Sequence, residues 1–428
     1  MRIVYLAAGA GGTYCGACMR DTALARGLAA AGHDVEFLSL YAPVKADHAP
    51  PGPCRVFFGG INVYLEQVSG LFRHTPAFLH RLFDASWLLD FVGSRALDTR
   101  PEDLGEMTVS VLRGPRGKQR GELKRLVDAL TAEKPPDVVN ITNSLLSAVA
   151  PALKKRLDVP VVCNLQGEDA FVERLGEPYR QQATALIREH AASVDVFIAP
   201  GEAYADRMTA FLAVDRARIR VIRPGIDLAP FQGEADRPSD VFRIGYLSRI
   251  TPEKGIDLLC EAFRLLEANA PGRQELTVAG EAGKLGRRLW EDETRRFDEA
   301  GIAQRVTYLG TLDFAQKVAF LKRLSVFSVP SRQSERQAMA TLEALASGVP
   351  VVMPDSGVYP EILSLTGGGV LTAPDDPHAL ADALAALRDD PARTRLLAAS
   401  AVAGAHEHFS DSALAANTAE LYEALRHA

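Results

Sequence analysis

Two carboxylates eight positions apart, Glu335 and Glu343, stand in VPSRQSERQAMATLEALASGVPVVMPDSG (329–357). The first falls where a polar loop gives way to a helical pattern, the second about two turns deeper. Carboxylates so placed accept hydrogen bonds from sugar and ribose hydroxyls, while unpaired N–H groups at a helix start attract phosphate. The plain alternative is one solvated glutamate and one on a helix surface. A second stretch, GYLSRITPEKGIDLLCEAF (245–263), carries Arg249 and Lys254 in a strand-to-helix loop. Two cations there can clamp a diphosphate, Arg by its planar fork and Lys as a point charge. An ordinary charged turn reads the same way.

A third stretch, AAGAGGTYCGACMRD (7–21), joins a glycine-rich loop to a Cys-x-x-Cys pair, Cys15 and Cys18. It follows the apolar run MRIVYLA and precedes a helical pattern that stops at Gly32. A helix start attracts phosphate and also lowers a thiol's pKa, so phosphate binding and thiol chemistry are both open. Structural zinc needs two further ligands, and no second Cys/His pair stands at metal spacing. With no Asp-x-Asp triplet either, no metal or cofactor is expected.

The elements that must hold these residues come in two alternating series. RIVYLA, DVEFLSL, DVVNIT, VPVVCNL and VDVFIA read as strands in the first, and FRIGYL, ELTVAG, VTYLG, FSVP and VPVVMP in the second. Apolar strands interleaved with helices predict α/β architecture with parallel sheets covered on both faces. The length of 428 residues calls for two domains. The expected division is 1–228, a polar linker at 229–240, 241–405, and a terminal helix at 406–428. In such sheets ligands bind beyond the carboxyl ends of the strands, so the site residues belong in loops after strands. A net charge of −6 argues against nucleic acid as a partner. No apolar run reaches the ~20 residues of a membrane span. The five cysteines (15, 18, 54, 163 and 260) make a disulfide framework unlikely, and no leader pattern opens the chain, so a cytoplasmic protein is expected.

Taken together, these motifs resemble the retaining glycosyltransferases of the GT-B fold, in particular the nucleotide-sugar-dependent family 4. AAAGHDV, SRITPEKG, the paired glutamates followed by ALASGVPVV, and FSDSALAANTAELYEAL carry the resemblance in order along nearly the whole chain. It implies two doubly wound Rossmann-like domains facing across a cleft, with the terminal helix crossing back to the first. It assigns Arg249 and Lys254 to the donor's diphosphate, Glu335 to the donor sugar and Glu343 to the ribose. The backbone of Gln337, Ala338 and Met339 matches the loop that approaches sugar and phosphate. The partners implied are a nucleotide diphosphate sugar donor, UDP-linked, and a hydroxyl acceptor on a carbohydrate or lipid-linked molecule.

Three departures stand out. The family has Gly-Phe-Gly after its first glutamate, where this chain has Arg336, Gln337 and Ala338. It often has a histidine where this chain has Gln166, which can donate a hydrogen bond but cannot shuttle a proton. Asp169 is the nearest ionisable substitute besides Glu168. The first loop is longer by about one helical turn, making Gly12 and Gly16 both candidates for close backbone approach to the diphosphate or the incoming hydroxyl.

On the acceptor side, the insertion 54–92 contains GGINVYLEQ, which faintly resembles the starch and glycogen synthases. RGPRGKQRGELKR (113–125) sets six cations against one glutamate. Segment 70–125 is therefore a candidate for peripheral membrane contact, against the plainer reading of extra helical cover and a solvated loop. A catalytically impaired nucleotide-sugar-binding or thiol-sensing protein on the same fold is the alternative function.

Overall fold

The computed structural model describes residues 1–9, 15–41, 44–52, 55–57, 101–132, 134–233 and 241–427. Of the candidate site residues, Gly12 lies outside them, as do all of the insertion 54–92 except Arg55–Phe57 and the expected linker beyond Gly233. The chain forms two units, Met1–Arg223 with Ser412–Ala428, and Pro224–Asp411.

In the first unit the strands are β1 (Arg2–Ala7), β2 (Asp34–Leu40), β3 (Arg55–Phe57), β4 (Val138–Ile141), β5 (Val161–Asn164), β6 (Val196–Ala199) and β7 (Ile219–Val221). Among the described residues they form one parallel sheet in the order β3-β2-β1-β4-β5-β6-β7. Side chains alternate across it. Val4 and Leu6 of β1 enter one core, and Ile3, Tyr5 and Ala7 enter the other. That second core receives Leu24, Ala25 and Leu28 from the helix Gly16–Ala30, and Leu414, Ala415 and Tyr422 from the last helix, Asp411–Arg426. The last helix therefore belongs to the first unit, and Arg426 pairs with Asp137 at 3.3 Å.

The second unit contains β8 (Phe242–Leu247), β9 (Gln274–Ala279), β10 (Val306–Tyr308), β11 (Val326–Phe327), β12 (Val351–Pro354) and β13 (Gly369–Thr372). They pair in parallel in the order β10-β9-β8-β11-β12-β13. Of the expected linker, Ala229–Phe231 makes a helical turn whose Phe231 is buried edge-on against Phe314.

Strand order reverses between β1 and β4 in one unit and between β8 and β11 in the other. At such reversals the two flanking crossover connections run to opposite faces and leave a crevice at the carboxyl ends of the strands. Both clusters described next sit at these reversals.

Candidate functional site

At the second reversal, the turn Pro252–Lys254 follows β8 and the loop 328–338 follows β11. The Lys254 ammonium donates to the Glu335 carboxylate across these loops, with side chains 16% and 21% exposed. Close backbone approach makes this meeting possible. Gly255 has φ +68°, and a Cβ there would stand 2.0 Å from the Pro330 carbonyl oxygen. Gly357 likewise lets its backbone reach Glu335, whose N and O a Cβ would meet at 2.6 Å. Arg332 straps the loops together. Its Nη1 donates to the Pro252 carbonyl at 2.8 Å, its fork grips Asp257 at 2.8 and 2.7 Å, and its Nε donates to Asp375 at 2.7 Å. Arg249 is exposed beside this arrangement.

The helix Met339–Ala346 begins just beyond. Ala338 precedes it with φ 50° and ψ 37°, a left-handed conformation that glycine adopts without strain. The family's glycine at this position thus has a backbone reason, and the chain keeps the turn with alanine. Gln337 is 5% exposed, and neither end of its amide has a hydrogen-bond partner. Glu343, one turn into the helix, accepts from Lys317 Nζ at 2.6 Å, with side chains 3% and 9% exposed. Lys317 comes from the helix Phe314–Lys322.

At the first reversal a buried polar network surrounds Asp21, on the inner face of the helix Gly16–Ala30. Tyr5 of β1 donates to its Oδ1 at 2.6 Å, and Thr142, just past β4, donates to its Oδ2. Gln166, beyond β5, donates through Nε2 to Asp21 Oδ1 at 2.7 Å, to the Thr142 carbonyl at 3.0 Å and to Thr142 Oγ1 at 2.9 Å. Burial pushes the Asp21 carboxyl up, opposed by neighbouring Arg20 and by these hydrogen bonds. Glu168 accepts from the backbone N–H of Ser144 and Gln166, at 3.1 and 2.7 Å, and burial raises it too. Asp169 is fully buried and accepts from Tyr204 Oη at 2.7 Å and from Arg207, which fastens its short helix to the helix Glu202–Leu212.

The two units match two halves of one family. Residues 19–225 match the model of the glycosyl transferase 4-like domain, and residues 241–390 that of the glycosyl transferases group 1. The glycogen synthase of Mycobacterium tuberculosis is 29% identical over 298 residues, 68% of this chain and 69% of that protein. D-inositol 3-phosphate glycosyltransferase 1 of Catenulispora acidiphila is 27% identical over 372 residues, 80% of this chain and 86% of that one. Among solved structures, Anabaena HepE in complex with UDP superposes with a TM-score of 0.68 at 17% identity, covering 99% of this chain and 100% of its own. The chain is a GT-B glycosyltransferase.

Within this glycosyltransferase, Lys254, Glu335, Gln337 and Ala338 lie in adjoining loops of one reversal and Met339 opens the helix that follows, with Arg249 exposed at the edge. Glu343 is deeper and already ion-paired. Gly16 opens the first helix of the other unit, and Gln166 lies on the network below. Asp169 is occupied by Tyr204 and Arg207. Sequence reasoning missed Asp21, Thr142, Lys317 and Arg332. The readable signal for Asp21 was an aspartate on a helix face that otherwise buries Leu24, Ala25 and Leu28.

The thiols of Cys15 and Cys18 are hydrogen-bonded to one another; that bond, then burial, pushes Cys18 far up, making it a poor nucleophile. In the basic stretch, Lys118 pairs with Glu106 at 2.7 Å and Arg116 with Glu189 at 3.4 Å, while Arg125 pairs with Glu122 at 2.6 Å. Residues 70–100 of the segment considered for membrane contact lie outside the described residues. Among the described residues, no helix is long and apolar enough to cross a membrane, and no group of three His, Cys, Asp or Glu could hold a metal ion.

Proposed function

We propose that this glycosyltransferase is retaining, and moves a hexose-type sugar from a UDP-sugar to a hydroxyl of a carbohydrate or glycolipid acceptor. The observation that carries the reading is the Lys254–Glu335 pair at the β8/β11 reversal, beside exposed Arg249 and ahead of a helix start. In this reading Arg249 and Lys254 neutralise the charge that grows on the departing diphosphate, without a bridging metal. The unpaired N–H groups at the start of the helix Met339–Ala346 add to that field. Glu335 holds donor-sugar hydroxyls, and Glu343, steadied by Lys317, holds the ribose. With Glu335 engaged by a cation, we assign it to orienting the sugar, and retention to a front-face displacement in which the donor phosphate takes the acceptor's proton. UDP in the HepE complex supports the choice of nucleotide.

The test is a donor screen. Incubation with a panel of nucleotide sugars should give slow hydrolysis or transfer with a UDP-sugar, the anomeric configuration of the donor being kept in the product. Inversion would overturn the retaining assignment, and inertness toward every UDP-sugar the donor assignment.

A further inference from the structure

Gln166 has its two amide ends in opposite situations. Its Nε2 faces three acceptors: Asp21 Oδ1, the Thr142 carbonyl and Thr142 Oγ1. A carboxylate and a carbonyl offer only lone pairs, so the NH2 end must face them. Its Oε1 is buried and has no partner. Asp21 is itself held from three sides, by Tyr5, Thr142 and Gln166, with Arg20 Nη1 3.8 Å from the same Oδ1. The helix, β1 and the residue after β4 thus lock one orientation of one amide.

We infer that Asp21 and Thr142 are positioning residues that fix Gln166 with its carbonyl oxygen presented to a substrate hydroxyl beyond the carboxyl ends of β1, β4 and β5. The donating ability that a glutamine offers is spent inside the protein. What remains is a pure hydrogen-bond acceptor, a buried oxygen without a partner on a half-buried side chain. It selects a substrate carrying O–H or N–H at that point, and a deoxy or O-methyl analogue leaves the oxygen unpaired. Sites that must pair a buried polar group discriminate strongly against analogues lacking the partner. The hydroxyl belongs to the donor sugar or to the acceptor; the chemistry is the same.

This rests on the glycosyltransferase reading above, and the first arm of its test needs no turnover. In protein labelled with 15N at glutamine side chains, the Gln166 amide signal is assigned by its loss in Gln166→Met. Its protons should exchange slowly with water in the wild type and roughly tenfold faster in Asp21→Leu and in the isosteric Thr142→Val. Asp21→Asn keeps an acceptor oxygen and should keep slow exchange; with Thr142→Val it also serves if Asp21→Leu does not fold. The second arm measures kcat and KM for transfer from UDP-glucose, with donor hydrolysis in parallel. Asp21→Leu and Gln166→Met should each lower kcat/KM by roughly tenfold to a hundredfold, and the double variant should fall no further than the worse single. Affinity for UDP should hold throughout, and Asp21→Asn should stay within roughly threefold of wild type. A parallel loss of hydrolysis assigns the hydroxyl to the donor sugar, and a loss confined to transfer assigns it to the acceptor. Unchanged amide exchange in Asp21→Leu and Thr142→Val, or losses that multiply in the double variant, would overturn the inference. A wild type inert toward UDP-glucose and every other nucleotide sugar would sink the functional reading alone, leaving the exchange arm to decide the clamp.

Discussion

Lys254 and Glu335, 81 residues apart in sequence, meet as an ion pair because the turn after β8 and the loop after β11 touch through Gly255 and Arg332. Each side chain satisfies the other, so in the proposed reading a diphosphate competes with Glu335 for the lysine. Arg249→Ala and Lys254→Ala should each weaken UDP binding by roughly tenfold to a hundredfold and leave uridine binding about unchanged. Glu335→Gln should behave in the opposite sense, since it releases Lys254. UDP should bind no more weakly, while turnover falls by roughly a hundredfold. Calorimetric titration with UDP and uridine separates the patterns. Wild-type UDP affinity in both cation variants would remove the diphosphate assignment.

Glu343 and Lys317 form a different kind of pair, buried on both sides. Removing one partner leaves an uncompensated charge in the interior, which costs about 3–5 kcal/mol. Glu343→Ala should therefore lower the urea midpoint severely, and Lys317→Met with Glu343→Met should recover much of the loss. Equal destabilisation of the double variant and Glu343→Ala would show that the pair is not the cause. Ribose recognition is better read in Glu343→Gln, which keeps an acceptor for Lys317 and should destabilise less than Glu343→Ala; uridine affinity, measured well below the unfolding transition, should fall.

The sequence already shows why one cluster is readable and the other is not. Loop residues between a strand and a helix announce themselves, so Arg249, Lys254 and Glu335 stand out by position and type. Lys317 sits inside the helix FAQKVAFLK with no motif to mark it, and only the fold brings it to Glu343. Asp21 meets Thr142 and Gln166, 121 and 145 residues further along the chain, and no local pattern encodes that meeting. The central strand FRIGYL, apolar but for Arg243, matches β8 residue for residue. The short strand β7 (IRV), with Arg218 before it and Arg220 inside it, and the edge strand β13, which follows Gly367 and Gly368 and opens on Gly369, have no such signature.

Ala338 adopts φ 50°, a region where an L-residue pays roughly 1–2 kcal/mol that glycine avoids. Glycine gives back about 0.4–1 kcal/mol of that through its more flexible unfolded chain. Ala338→Gly should therefore stabilise the protein by about 0.5–1 kcal/mol in urea unfolding, with UDP affinity kept. Ala338→Val should destabilise, because a β-branched residue fits this conformation worse. Loss of stability in Ala338→Gly would mean that the left-handed turn carries no strain.

The last prediction concerns His190, 6% exposed in the helix Tyr179–Ala191, with Nδ1 3.2 Å from Ser147 Oγ. Burial holds its imidazole below the ordinary value of 6.5, with neighbouring Glu189 opposing and Arg116 adding to the effect. The folded protein thus prefers the neutral ring more than the unfolded chain does. The contribution of His190 to stability is complete above pH 6.5 and is lost as pH falls from there through the folded-state pKa, because the unfolded state takes up the proton first. His190→Gln keeps a polar group near Ser147 and removes the titration. Urea midpoints of wild type and variant should differ by a constant amount above about pH 7.5, where histidine is neutral in both states. Between about pH 6.5 and 5 the wild type should lose stability relative to the variant. A gap independent of pH across that range would show that His190 has the same affinity for protons folded and unfolded. A gap that widens in favour of the wild type on acidification would mean that Glu189 outweighs burial.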